Sequence, residues 1–266
     1  MADEKEIVVK SIRKVALLLV LLIVTLFAKS QDNYEIQVYA SPTVAKHTTM
    51  LELHSNFTFD GEKNTVNDVL PSHHIFHETV EITHAFTDWM EVGFYIFNAI
   101  GDDNRTAYVG SHIRPRVMAP VKWGWPVGVS LSAEFGYQQR HYSEDDWSLE
   151  LRPIIDKKIG KLYMALNPTF DKSFHGLNKN NGFVFSPNIK IGYDITPKIS
   201  SGIEYYGSLG PVNNISPYSQ QQQQLFVVAD INFSPKWEFN IGYGFGFTEG
   251  TDNAIVKVIL GRRFGK

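Results

Sequence analysis

Between Trp237 and Phe247 a bulky apolar residue occupies every second place. Trp237, Phe239, Ile241, Tyr243, Phe245 and Phe247 alternate with Glu238, Asn240, Gly242, Gly244 and Gly246. Side chains point alternately to opposite faces of a strand, so one face here is aromatic or aliphatic and the other polar or absent. A soluble sheet seldom places aromatics on one face against glycines on the other. A strand whose outer face meets hydrocarbon and whose inner face meets water requires that pattern.

The pattern recurs along the chain. Val127, Val129, Leu131, Ala133, Phe135 and Tyr137 alternate with small or polar residues; Phe183, Phe185, Ile189, Ile191 and Tyr193 alternate with Ser186, Asn188, Lys190 and Asp194; and Leu225, Val227, Ala229, Ile231 and Phe233 face away from Asp230 and Asn232. Weaker alternation marks 48–59, 73–84, 89–98, 107–117, 147–156, 161–170, 198–207 and 254–264. The segments are near the roughly 9–11 residues that a tilted membrane strand needs. The connections sort by length in strict alternation. Short links at 87–88, 158–160, 196–198 and 234–236, with a longer one at 119–125, alternate with polar links at 60–72, 99–106, 139–146, 171–182, 208–222 and 248–253. Short periplasmic turns and long external loops are the organisation of outer-membrane barrels. The sequence therefore predicts an all-β protein: a transmembrane, antiparallel, up-and-down β-barrel of about twelve strands over residues 48–266.

The N-terminus reads as a targeting segment. Lys5, Lys10, Arg13 and Lys14 precede an apolar run from Val15 to Ala28, and Ala28-Lys29-Ser30 offers small residues for cleavage before Gln31. Residues 1–30 are thus expected to be a signal peptide. Residues 31–47, in which Tyr34, Ile36, Val38 and Ala40 alternate with polar residues, fit a periplasmic leader, a short extra strand or a segment tucked into the lumen. The absence of cysteine excludes disulfides, thiolate metal sites and a lipoprotein anchor. A net charge of −3 offers no polybasic surface for nucleic acid. The glutamine run 220–224 is expected in an exposed loop entering a strand.

Trp89, Trp123, Trp125 and Trp237 fall at the predicted periplasmic turns, where amphipathic rings would form a membrane-interface belt; Trp147 falls at the opposite rim. Alternation also sorts the charges. Arg114, Arg116 and Arg152 point inward from the fourth and sixth strands, and Glu204, Asp230 and Glu238 from the ninth to eleventh. Opposed bands of opposite sign would set a transverse field that selects polar solutes. Alternatively, inward charges pair and fill the lumen, with Glu134 between the arginine strands and Arg263 beside Glu238. Inward Gly128, Ser130, Ser132, Gly242, Gly244 and Gly246 leave room for a solute path.

Two chemical alternatives are weaker. His141 and Ser143 stand two apart in a predicted loop, but a nucleophile needs a base within reach, an orienting group and an oxyanion site. His73, His74, His77, Glu78, Glu81 and His84 form a histidine-rich stretch, with His47 and His54 nearby. Along one strand His73, His77 and Glu81 are each separated by roughly 13 Å, too far for one ion. No cofactor or metal is expected.

The run His77-Glu78-Thr79-Val80-Glu81-Ile82-Thr83-His84-Ala85-Phe86-Thr87-Asp88-Trp89-Met90-Glu91-Val92 resembles the strand, aromatic-Thr-Asp turn, strand hairpins of a group of uncharacterised bacterial barrels. Some of these are named for a meta-pathway of phenol degradation. The hairpin grammar returns at Tyr193-Asp194-Ile195-Thr196-Pro197-Lys198. The resemblance implies a porin-like barrel and identifies no functional residue. The expected function is passive passage of small solutes through an outer membrane of Gram-negative type. The expected partners are membrane lipid, the solutes and the barrel-assembly machinery. A closed structural or surface-interaction barrel and an outer-membrane hydrolase are the alternatives.

Overall fold

The computed structural model describes residues 33–101 and 105–265. Twelve strands follow in chain order: β1 (Thr49–Asp60), β2 (Phe76–Ala85), β3 (Met90–Ile100), β4 (Thr106–Met118), β5 (Gly128–Gln138), β6 (Asp145–Ile159), β7 (Leu162–Gly176), β8 (Val184–Thr196), β9 (Ile199–Ser208), β10 (Gln222–Ile231), β11 (Trp237–Gly246) and β12 (Ala254–Phe264). Each pairs antiparallel with its sequence neighbour, and β1 pairs with β12 to close the barrel. Closure leaves no sheet edge with unpaired backbone, the condition for a β-structure to cross hydrocarbon.

The barrel is apolar outside and charged inside. On β11, Ile241, Tyr243 and Phe245 are about two-fifths exposed, whereas Asn240 is buried. The buried set includes Glu52, His54, Glu81, Glu91, Arg114, Glu204 and Lys257. Charged side chains are almost never fully buried in soluble cores unless paired, and a continuous apolar exterior of this extent marks a surface that meets lipid. Replacing Ile241 by Arg, on the outer face midway along β11, is expected to destabilise the folded barrel by about 2–4 kcal/mol. Urea unfolding in lipid vesicles, followed by tryptophan emission, would measure the loss.

Connections at one end run over 86–89, 119–127, 160–161, 197–198 and 232–236; those at the other over 61–75, 101–105, 139–144, 177–183, 209–221 and 247–253. The 119–127 link carries a short 3-10 turn (Val121–Trp123) ended by Gly124 at φ 65°, a left-handed conformation that suits glycine. Two boundaries differ from those the sequence predicts. β6 and β7 stay paired out to Asp145 and Gly176, through the polar Asp171, Lys172 and Ser173. Beyond the bilayer nothing imposes apolar alternation, so the hydrogen-bond ladder outlasts the sequence signal. The glutamine run is the other case. Gln222 and Gln224 lie buried on β10, and the Gln224 amide donates to the Asp252 carbonyl.

Candidate functional site

The described part of 31–47 forms no strand and lies inside the barrel. Its backbone polar groups need partners away from water, and side chains from around the wall supply them. Asn56 of β1 donates to the Asn33 carbonyl (2.8 Å), Thr79 of β2 to that of Tyr34 (2.7 Å) and Lys257 of β12 to that of Ile36 (3.0 Å). The Asn167 amide on β7 accepts from the Tyr39 N–H (2.7 Å) and donates to the Tyr39 carbonyl (3.0 Å). Arg116 of β4 donates to the carbonyls of Ala40 (3.0 Å) and Pro42 (2.9 Å), and Asp156 of β6 accepts from Ser41 Oγ (2.5 Å). Only a segment within the lumen can touch all these strands at once.

Its direction follows from the same contacts. Asn33 donates to Asp252 in the 247–253 loop (2.5 Å), at the long-loop end. Burial pushes the Asp252 carboxyl up, while hydrogen bonds from Ser72 and Asn33 oppose the rise. At the short-turn end Thr43 approaches Met118 and the Asp88 carbonyl, and the Val44 N–H donates to Glu91 (2.7 Å). The chain turns at His47 (φ 60°) and rises as β1. Apolar side chains wedge the segment. Ile36 and Val38 pack with Ala165, Tyr206, Phe226, Val228 and Ile255, while Tyr34 packs with Tyr95, Phe97, Ala99 and Val109 across the lumen.

The charges that alternation places inward form local networks instead of separated bands. Arg114, 2% exposed, pairs with Glu81 (2.6 Å) and Glu91 (3.4 Å) and donates to the Tyr95 hydroxyl. Arg116 pairs with Glu91 (2.7 Å); Arg152 pairs with Glu150 (2.7 Å) and with Glu35 of the luminal segment (3.0 Å). Across the barrel, Glu204 pairs with Lys257 and with Lys190 (3.0 Å), Asp230 with Lys190 (2.8 Å), and Glu238 with Arg263. A buried charge is tolerable only beside its counter-charge, and each of these inward charges has one beside it. Glu134 bonds His112 (2.6 Å). The partners that sequence reasoning missed, Glu81, Glu91, Lys190 and Lys257, all sit at inward positions of their strands. Glu35 and Tyr39 carry no such signal.

Tyr39 is the centre of the arrangement. The guanidinium carbons of Arg152, Arg114 and Arg116 lie 4.8, 4.9 and 5.7 Å from its ring centroid, within cation–π range. Its hydroxyl donates to Glu35 (2.7 Å) and contacts the Tyr95 hydroxyl (3.0 Å). The room left by inward glycines is taken up. A Cβ at Gly128 would strike Ser41 and Asp156, one at Gly242 would crowd Val228, and one at Gly244 would meet the Phe226 ring. What stays open is a cavity of about 1440 Å³ at the long-loop end, floored by Glu35 and Gln37 and walled by Glu150, Asp171, Lys172 and Gln222 among others.

Other predicted residues lie apart from this assembly. Trp89, Trp123 and Trp125 are about half-exposed at the short-turn end, where Trp237 begins β11 under the Arg262 guanidinium (4.9 Å). Trp147 is exposed towards the opposite end. His141 bonds the Asp68 carbonyl (3.3 Å), whereas Ser143 Oγ donates to the Asp145 carbonyl (2.9 Å), so the two are held by different partners. The histidine-rich stretch also diverges. The rings of His73 and His74 stack near Asp60, while His77 is buried edge-on to Tyr34.

Replacing Asn167 by Ala would strand both backbone polar groups of Tyr39, each costing about 1–3 kcal/mol when buried unpaired. Amide exchange across residues 36–42 is expected to accelerate by roughly tenfold or more, at about 1.4 kcal/mol per factor of ten, with exchange in the wall strands unchanged.

No family model matches the chain, and no curated protein matches it in sequence. Solved structures do. The COG4313 outer membrane channel from Pseudomonas putida F1 is 13% identical, with a TM-score of 0.59 over 86% of this chain and 100% of that one. The NanC porin is 9% identical (TM-score 0.53, 81% of this chain and 100% of that one), and the KdgM porin 11% identical (TM-score 0.50, 82% and 99%). At these identities the likeness is one of fold: the chain is a closed, twelve-strand transmembrane β-barrel similar to outer-membrane porins and channels.

Proposed function

We propose that the protein is a passive channel of the outer membrane for small solutes, and that its own residues 33–47 occlude it. The observation that carries this reading is the luminal segment. A wide vestibule leads from the long-loop end to an obstruction that is no part of the wall and is held by hydrogen bonds, ion pairs and side-chain packing. Such contacts can be broken without opening the β-ladder. A purely structural barrel has no need of a vestibule ending on a detachable floor. The nature of the structural neighbours, channels and porins, favours the same reading.

Placement of the segment supports two further parts of the proposal. Asn33 sits at the long-loop end, and export with removal of residues 1–30 would begin the mature chain two residues before it. The exposed tryptophans at the short-turn end fit an interfacial belt on the periplasmic side. The inward Arg114, Arg116 and Arg152, which touch the segment, would then act on solutes mainly by holding or releasing the obstruction, while Glu204, Asp230 and Glu238 would line the wall beside their cations. Current across a planar lipid bilayer tests the channel. Discrete steps are expected from the purified protein, larger or more frequent after Tyr39→Ala. Silence from both proteins, with insertion verified, would overturn it.

A further inference from the structure

Beside the seam where β1 closes on β12, three side chains converge on one point of the inner wall. Glu52 and His54 lie on β1, and Glu81 lies on β2 directly across from Glu52 in the ladder. One ligand atom from each lies within 4.8 Å of the other two. All three residues are buried, at 5%, 0% and 0% exposure. Glu52 Oε1, both ring nitrogens of His54 and Glu81 Oε2 have no hydrogen-bond partner. Buried polar groups are normally satisfied, and leaving a carboxylate and an imidazole orphaned is costly.

The surroundings deepen the imbalance. Gly261 is the ladder neighbour of Glu52 on one side and of Glu238 on the other. A Cβ there would lie 3.0 Å from Glu238 Cγ and 3.2 Å from Glu52 Cγ, so the glycine leaves the two acids facing each other. Glu238 takes Arg263, and Glu81 Oε1 takes Arg114 (2.6 Å) and the Thr83 hydroxyl (2.6 Å). Glu81 Oε2 remains turned towards His54 Nε2 at 3.5 Å. That spacing is too long for a good hydrogen bond, but suits two ligands of one ion at about 2.0–2.2 Å each.

We propose that Glu52, His54 and Glu81 bind a divalent transition cation, zinc fitting the donor set best. One imidazole and two carboxylates, with no thiolate in the chain, are borderline-hard ligands that zinc accepts. Arg114 and Thr83 orient the Glu81 carboxylate from the outer shell, as partners of metal ligands commonly do. Donors about 2.0–2.2 Å from one tetrahedral ion stand roughly 3.3–3.6 Å apart, so the three atoms, which lie within 4.8 Å of one another, must draw in around the ion, a movement that rotation of the Glu52 side chain can supply. The ion would offset the surplus negative charge and tie β2 to β1 beside the closing seam. Cross-strand pairing builds the site, so spacing along a single strand does not reveal it.

The full chain, purified in detergent, unfolded in urea with a chelator and refolded with or without zinc chloride, tests the proposal. After desalting, about one zinc per chain should remain and the thermal midpoint should rise. His54→Ala and Glu52→Gln should each weaken zinc binding at least about tenfold, whereas replacing the stacked His73 and His74 should not. Because the variants risk misfolding, cobalt is added to the parent as a second reading. An intense visible d–d spectrum of low coordination number supports the site; a weak six-coordinate spectrum contradicts it. Failure to retain zinc, or zinc lost only with His73 and His74, would overturn the proposal. None of these outcomes depends on whether the lumen conducts.

Discussion

Deleting residues 33–46 is expected to raise single-channel conductance at least several-fold and to leave a folded barrel. The wall does not need the segment, because every strand from β1 to β12 pairs on both sides without it. Its removal also leaves the main ion pairs of the lumen intact: Arg114 keeps Glu81 and Glu91, Arg152 keeps Glu150, and Lys257 keeps Glu204. What vanishes is the Tyr39 ring among three guanidiniums and the wedge of Tyr34, Ile36 and Val38. The vestibule should then continue to the short-turn end as an open, charge-lined passage. Conductance equal to that of the full protein would mean that wall side chains, and not this segment, set the constriction.

Arg114→Met should lower the stability of the barrel by about 3–5 kcal/mol, because it leaves an uncompensated charge in a buried pair. The guanidinium is 2% exposed and serves Glu81, Glu91 and the Tyr95 hydroxyl together. Arg116 still covers Glu91 at 2.7 Å, so most of the loss belongs to Glu81. The double variant Arg114→Met/Glu81→Gln should recover part of the loss, since neutralising both partners removes the stranded charge. Urea titration in lipid vesicles measures both quantities. A loss near that of an exposed salt bridge, about 0–1 kcal/mol, would mean that water reaches the pair.

The wall was legible in the sequence because lipid imposes a two-residue period on anything that faces it. Ile241, Tyr243 and Phe245 betray β11 for that reason, and all twelve strands follow. The same rule identifies Arg114, Arg116, Arg152 and Glu204 as inward, yet it cannot say what they meet there. Lys257 shows the limit: its place between Val256 and Val258 marks it as luminal, while its partner Glu204 comes from β9, far along the chain. The luminal segment is harder still. Tyr34, Ile36 and Val38 keep a strand-like alternation, but Val38 and Tyr39 are buried in succession and Ala40 is exposed. Walls surround the segment on all sides, so no period describes it, and wall side chains satisfy its backbone in place of a ladder. The cluster of Glu52, His54 and Glu81 was invisible for a related reason, since register between strands brings it together.

The most direct test of occlusion is a reversible lock. The chain has no cysteine, so a Ser41→Cys/Gly128→Cys pair would be its only thiols. A Cβ at position 128 would lie 3.2 Å from that of Ser41, near the roughly 3.5–4.5 Å that a disulfide spans. Single-channel current through this variant should be absent or minimal when the bond is formed and should appear on reduction in the same bilayer. Equal current in both states, with the disulfide verified, would contradict the claim that residues 33–47 close the channel.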